Sequence, residues 1–294
     1  MNQSEERLKD WLFRYRTVFN KRQSTVQINR FIHSFVKDVY QFREDIEVKE
    51  LTNNKQDFGK IIIVGNPKKA RQVVATYYDT PKQHFGSYDF FDVKEQEKKT
   101  FQYIMMSAGL LFLGGLLALF MYLKLSQFAI DFRDYKTWIV SITVMAFFLI
   151  ASKVSRGVSR RKNVVRNTSS ILAILELMYQ RRDPGIAYIL IPNGTYGFEQ
   201  IELVKQLFVK RGELYYLDSI GSDNALYCFT QSKKEQDKCQ QFCIMPQAGT
   251  SHYHYIISSQ KSAESYYLDR GDLNSTEVNW KNINTIIAYF KGGN

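Results

Sequence analysis

The residues best equipped for chemistry fall into two small groups. Cys239, Cys243, His252 and His254 bring two thiols and two imidazoles into one short stretch. Donors of this kind bind zinc, and a thiolate beside an imidazole is a nucleophile. The spacing supports neither. C-x-x-x-C followed by H-x-H is not a usual finger spacing, and no motif selects a Cys–His pair. The stretch reads as two thiols and a strand carrying two imidazoles on one face. Gly65-Asn-Pro-Lys-Lys69 has the glycine and lysines of a phosphate loop without the Gly-Lys-Ser/Thr ending, and reads as a hairpin turn.

The elements that must position any site alternate between strand and helix. Leu8, Trp11, Leu12 and Tyr15, then Val26, Ile28, Phe31, Ile32, Phe35 and Val39, carry helical spacing. Lys60–Val64 and Gln72–Tyr77 flank the Gly65 turn as a strand-turn-strand unit. Further on, Ser169–Tyr179 is helical with Thr168 or Ser169 as cap, and Ala187–Ile191 is an apolar strand stopped by Pro192-Asn193-Gly194. Phe198–Lys210 reads as a helix, Glu213–Leu217, Ala225–Phe229 and Tyr253–Ser258 as strands, and Val278–Phe290 as a closing helix. This alternation predicts a doubly wound α/β sheet covered on both faces. Sites in such sheets gather beyond the carboxyl ends of the strands. The segments to inspect are therefore Tyr77–Thr80, Pro192–Gly197 and Leu217–Asp223.

At those segments the chain resembles the co-catalytic zinc aminopeptidases, the family related to glutaminyl cyclases and to the ectodomains of the transferrin receptor and nicastrin. The family's G-A-H-Y-D-S is similar to Ala75-Thr-Tyr-Tyr-Asp-Thr80, and its D-N-x-S-G helix start to Arg166-Asn-Thr-Ser-Ser170. Its apolar strand into G-E-E-x-G resembles Ala187–Gly197. Its N-L-D-M-I-G resembles Tyr216-Leu-Asp-Ser-Ile-Gly221, and its final Y-H-T segment begins at Tyr267-Leu-Asp269. The resemblance implies a zinc-exopeptidase-like mixed sheet. It also places the family's zinc ligands and general base on Tyr77, Arg166, Gly194, Thr195, Asp218 and Leu268, with Asp79 in the position that orients a ligand.

These positions depart from what the chemistry needs. Two zinc ions require His, Asp and Glu ligands and a general base; of the ligands only Asp218 matches, and Arg166 sets a permanent cation where the metals belong. The resemblance thus implies a pseudoenzyme with no catalytic residue, no metal and no cofactor. What remains is a crevice at Tyr77, Asp79, Arg166, Thr195, Asp218 and Leu268, walled by Tyr78, Tyr196 and Tyr267. Arg suits a peptide carboxylate and Asp an amino group. An internal Arg166–Asp218 ion pair that fills the hole is an equal expectation.

The chain also carries a membrane signal. Tyr103–Leu123 is uncharged and apolar, and as a helix reaches roughly 30 Å, the thickness of a hydrocarbon core. Trp138–Ala151 follows, extendable through Thr137 and Ser152. Lys94, Lys98, Lys99, Lys153, Arg156, Arg160, Arg161, Lys162 and Arg166 lie outside the pair, against Lys124, Arg133 and Lys136 in its loop. That asymmetry predicts a two-pass protein of the cell membrane with both termini cytoplasmic. The net charge of +11 is concentrated around the hairpin and reads as a topology and lipid-headgroup signal rather than a nucleic-acid site. Three cysteines do not make a disulfide framework.

The expected organisation is residues 1–100 and 154–294 as two parts of one aminopeptidase-like domain, with a transmembrane hairpin at 101–153. Its expected role is a peptide- or partner-binding scaffold at the cytoplasmic membrane face. The alternatives are an active membrane-tethered metallo-aminopeptidase, or an accessory or immunity subunit of a peptide exporter.

Overall fold

The computed structural model describes residues 3–53, 56–125, 135–195, 197–232, 242–246, 253–262 and 265–292. They form two compact units, one of residues 1–81, 87–93 and 160–294, the other of 82–86 and 94–159.

The first unit is built on an eight-stranded sheet. Its strands are β1 (Ile46–Asn53), β2 (Gln56–Val64), β3 (Gln72–Tyr77), β5 (Ile186–Ile191), β6 (Glu213–Asp218), β7 (Leu226–Thr230), β8 (Cys243–Pro246) and β9 (His254–Ser258). The spatial order is β1-β2-β5-β3-β6-β9-β7-β8. The central strands β5, β3, β6 and β9 run parallel. β2 and β7 close them antiparallel on either side. Strands buried on both faces read as continuous apolar runs, and Ile186–Ile191 is buried at every position. β4 (Tyr88–Asp89), β10 (Gln260–Lys261) and β11 (Tyr266–Leu268) form a separate three-stranded sheet.

Helices α1 (Gln3–Phe13), α2 (Thr25–Tyr40), α5 (Ser169–Gln180) and α7 (Trp280–Gly292) bring Trp11, Phe31, Phe35, Ile171, Leu175, Ile283 and Phe290 into one core. α2 starts at a capping box in which the Ser24 hydroxyl accepts from the Gln27 N–H, 3.4 Å, and the Gln27 side chain accepts from the Ser24 N–H, 3.2 Å. Its buried rings Phe31 and Phe35 each contribute about 1.5–3 kcal/mol by leaving water. α6 (Glu199–Phe208) places Ile201, Leu203 and Val204 in a second core that also holds Tyr77, Tyr88, Phe90, Tyr255 and Leu268.

The structure corrects two local expectations. β2 and β3 are not a hairpin, because β5 lies between them and pairs with both. The Gly65 segment turns the chain without joining neighbours: Gly65 adopts φ 84°, a conformation glycine takes without a Cβ penalty. Neither Thr168 nor Ser169 caps α5, since Val164–Thr168 already forms a π-turn that runs into the helix, and the Ser169 hydroxyl donates back to the Val165 carbonyl, 2.6 Å. Strand β1 alternates only over Ile46-Glu-Val-Lys49 before its register shifts between Glu50 and Thr52, and β4, β8, β10 and β11 span two to four residues each, too short for a sequence pattern to mark them.

The second unit contains α3 (Val93–Leu125) and α4 (Tyr135–Ser155), both long and apolar enough to cross a membrane. Their apolar side chains, Leu110, Phe112, Leu113, Phe148 and Leu149 among them, are exposed. The helices approach closely at Gly115, where a Cβ would lie 2.6 Å from the Phe147 ring. Small residues permit such contact between membrane helices. Residues 126–134 lie outside the described residues.

Candidate functional site

The carboxyl ends of β3, β5 and β6 deliver Tyr77, Asp79, Thr195 and Asp218, and the π-turn before α5 delivers Arg166. All are buried: Tyr77 0%, Arg166 1%, Asp218 2%, Thr195 4%, Asp79 8% exposed. The strand ends therefore carry a packed polar cluster.

Asp218 is held by hydroxyls. Ser219 donates to Oδ1 at 2.7 Å, Tyr77 to the same oxygen at 3.1 Å, and Tyr255 to Oδ2 at 2.9 Å. Ser219 reaches it with φ 53°, a left-handed conformation that costs a non-glycine residue about 1–3 kcal/mol. Tyr77 and Ser219 also contact the Arg166 carbonyl, at 2.8 and 3.1 Å, which pins the π-turn to the strand ends. The Arg166 guanidinium donates to the Thr195 carbonyl at 3.1 Å and lies 3.6 Å from the centre of the Tyr88 ring. Burial raises the pKa of Asp218 above the ordinary carboxylate value, and the Arg166 charge is the main influence opposing it.

Asp79 faces β5. It accepts the Gly194 N–H at 3.0 Å and the Thr195 hydroxyl. Burial raises its pKa too, against those two bonds and the charge of Arg166. A second buried arginine stands nearby. Arg22, fully buried between α1 and α2, donates to the carbonyls of Tyr78 and Phe19, at 2.5 and 2.6 Å, and to the Asn167 side chain. Asn167 in turn donates to the Tyr77 carbonyl, 2.8 Å. Burial lowers the Arg22 pKa to about 10, and Asp79 is the main influence raising it.

Not every expected member joins. Tyr78 is no wall of this cluster. Neighbouring side chains at a strand end point to opposite faces, so Tyr78 enters the other core, stacks on Phe31 at 5.7 Å and donates to the Lys60 carbonyl at 2.6 Å. Leu268 is buried and paired in register with Tyr88, while Tyr267 sits beside it half-buried, opposite Asp89. Tyr196 lies outside the described residues, as do Cys239 and His252. His254 is bound to Thr230, 2.7 Å, and Glu213, 3.1 Å, and Cys243 lies on an edge strand two strands away. The sequence reading missed Arg22, Asn167, Tyr88, Ser219 and Tyr255. Tyr255 was legible as the alternate-face partner of a strand already recognised; Arg22, in a polar inter-helix loop, carries no such signal.

A two-zinc centre does not fit these residues. Arg166 puts a guanidinium in it, the Tyr77 hydroxyl donates to the Asp218 carboxylate, and Tyr77 occupies the space a side chain at Gly194 would need. Among the described residues no three His, Cys, Asp or Glu side chains come together to hold a metal ion.

The architecture is that of the zinc-exopeptidase-like α/β proteins. The chain matches glutaminyl cyclase of Tannerella forsythia with a TM-score of 0.54 and 11% identity over 97% of this chain and 96% of that one. Glutaminyl cyclase of Porphyromonas gingivalis gives 0.53 and 13%, over 97% of each chain. A Zn-dependent exopeptidase from Parabacteroides distasonis ATCC 8503 gives 0.51 and 10%, over 96% and 94%. At such identities the likeness is one of fold. No protein-family model matches the chain, and no curated protein matches it in sequence.

Proposed function

We propose that the chain is a membrane-anchored member of this fold class that has lost metallopeptidase chemistry and serves as a peptide- or partner-binding scaffold at the cytoplasmic membrane face. The observation that carries the proposal is the Arg166–Tyr88–Tyr77–Asp218 cluster, which is buried and internally bonded at the positions where the resemblance places zinc ligands. A cation fixed by stacking leaves neither room nor charge for divalent metal. The anchoring rests on α3 and α4 and on the basic residues that flank them. Binding then falls to the rim, where Tyr267 is half-buried and Phe91 is 43% exposed on a bed of Phe198, Phe229, Tyr255 and Tyr266.

The test uses full-length protein purified from membranes. Elemental analysis should find no stoichiometric zinc. Neither aminoacyl-nitroanilides nor peptides with amino-terminal glutamine should be turned over, with or without added zinc. One or two zinc ions per chain, or turnover lost in Asp218→Ala, would overturn the loss of chemistry. A photo-crosslinker at Phe91 should trap a peptide or membrane-protein partner in cells, and an empty crosslink from correctly folded protein would remove the scaffold role.

A further inference from the structure

The amino-terminal ends of the parallel strands, opposite the polar cluster, carry a second concentration of charge. An open recess of about 230 Å³ is lined there by Phe42, Arg43, Asp45, Arg182 and Pro184. Asp45 grips Arg43 through both Nε, 2.8 Å, and Nη2. That fork fixes the guanidinium over the Tyr188 ring, 5.8 Å to its centre, and leaves Nη1 to point elsewhere. Arg43 Nη1, Arg181 Nη1 and the Tyr188 hydroxyl are buried without a hydrogen-bond partner among the described residues. The Arg43 side chain is 6% exposed and Tyr188 is fully buried. Buried donors left without acceptors are costly, and Arg43, whose Nη1 is one of them, lines the recess, which points to an acceptor that the chain itself does not supply.

The acids nearby are already committed. Asp183 accepts from Gly185 N–H at 2.7 Å, Arg181 at 3.1 Å and Arg71 at 3.4 Å, and Asp45 is held by Arg43. Arg43, Arg71, Arg181 and Arg182 against Asp45 and Asp183 leave a surplus of two positive charges, four minus two. The Gly65 turn begins at the same place: its N–H donates to the Asp45 carbonyl at 2.9 Å, and it carries the exposed Lys68 and Lys69.

We infer that this recess binds a phosphate group, either free or as the headgroup of an anionic lipid. Its volume lies below the roughly 300–1,000 Å³ of drug-sized sites and suits a compact oxyanion. The planar guanidinium donors of Arg43 and Arg182 match phosphate oxygens better than they match a lone chloride. The inference is independent of the lost metal site, from which it is separated by the length of the strands.

Thermal unfolding of the full chain in neutral detergent reads the binding. Inorganic phosphate should raise Tm saturably against chloride of equal ionic strength, and the half-saturating concentration should rise about tenfold in Arg181→Gln/Arg182→Gln. If short-chain phosphatidic acid or phosphatidylglycerol gives that variant-sensitive shift while phosphate and phosphatidylcholine do not, the ligand is a lipid headgroup. Should the double variant fail to fold, Arg182→Gln alone alters only an exposed side chain and must still weaken the response. A saturable shift from none of these probes, or one unchanged in a variant that unfolds at the wild-type temperature, overturns the site.

Discussion

Tyr77 and Gly194 compete for one volume: a Cβ at position 194 would lie 2.4 Å from the Tyr77 Cβ and 2.9 Å from the Tyr216 hydroxyl. The two contacts come from adjacent parallel strands, and the Tyr77 Cβ cannot withdraw without moving β3. Gly194→Ala should therefore destabilise the protein by about 1–3 kcal/mol, as overpacking does. Chemical denaturation in detergent measures this, and a neutral substitution would contradict the packing of the strand ends.

Arg166 is the main influence opposing the rise that burial imposes on the Asp218 pKa. Arg166→Met should cost about 3–5 kcal/mol, the usual result of stranding one buried charge. Arg166→Met/Asp218→Asn should recover a substantial part of that loss. The coupling read from the double-mutant cycle is the measurement, and strict additivity would show that the two do not interact.

Asp218 also predicts a direction for pH. Its folded pKa is raised above the ordinary 3.8, chiefly by burial. Between the unfolded and folded values the native state therefore binds more protons, and stability falls as pH rises through that window. The unfolding free energy of wild type minus that of Asp218→Asn should be flat below the ordinary value and decline above it. A difference that grows with pH would mean that the three hydroxyls outweigh burial.

The basic flanks of α3 and α4 predict topology. A cysteine introduced at Gln127 should react with an impermeant thiol reagent in intact cells, whereas one at Gly292 should stay protected. Labelling at Gly292 would refute cytoplasmic termini.

Much of the sheet was legible because its central strands are apolar at most positions and its turns carry Pro, Asn and Gly. The strand ends followed from that order, which is why Tyr77, Asp79, Thr195 and Asp218 could be named together. The placement of β5 between β2 and β3 was not legible, since a short turn between two strands looks alike whether they pair or make room for a third. Tyr78 was misplaced by treating a strand end as a patch when side chains there still alternate. Arg22 escaped because its partners are the carbonyls of Phe19 and Tyr78 and a side chain 145 positions away, and carbonyl acceptors leave no trace in residue type.

Strand β3 lies between β5 and β6, and both are encoded after α3 and α4. When a ribosome has made Ser155, the middle strand of the sheet has neither neighbour. β1 and β2 can pair by then, but the apolar residues Val73, Val74 and Ala75 must wait for the last half of the chain. The order of synthesis thus commits the two apolar helices before the soluble core can close. A nascent chain stalled after α4 should be protease-sensitive along β3 and acquire resistance only once β6 has emerged.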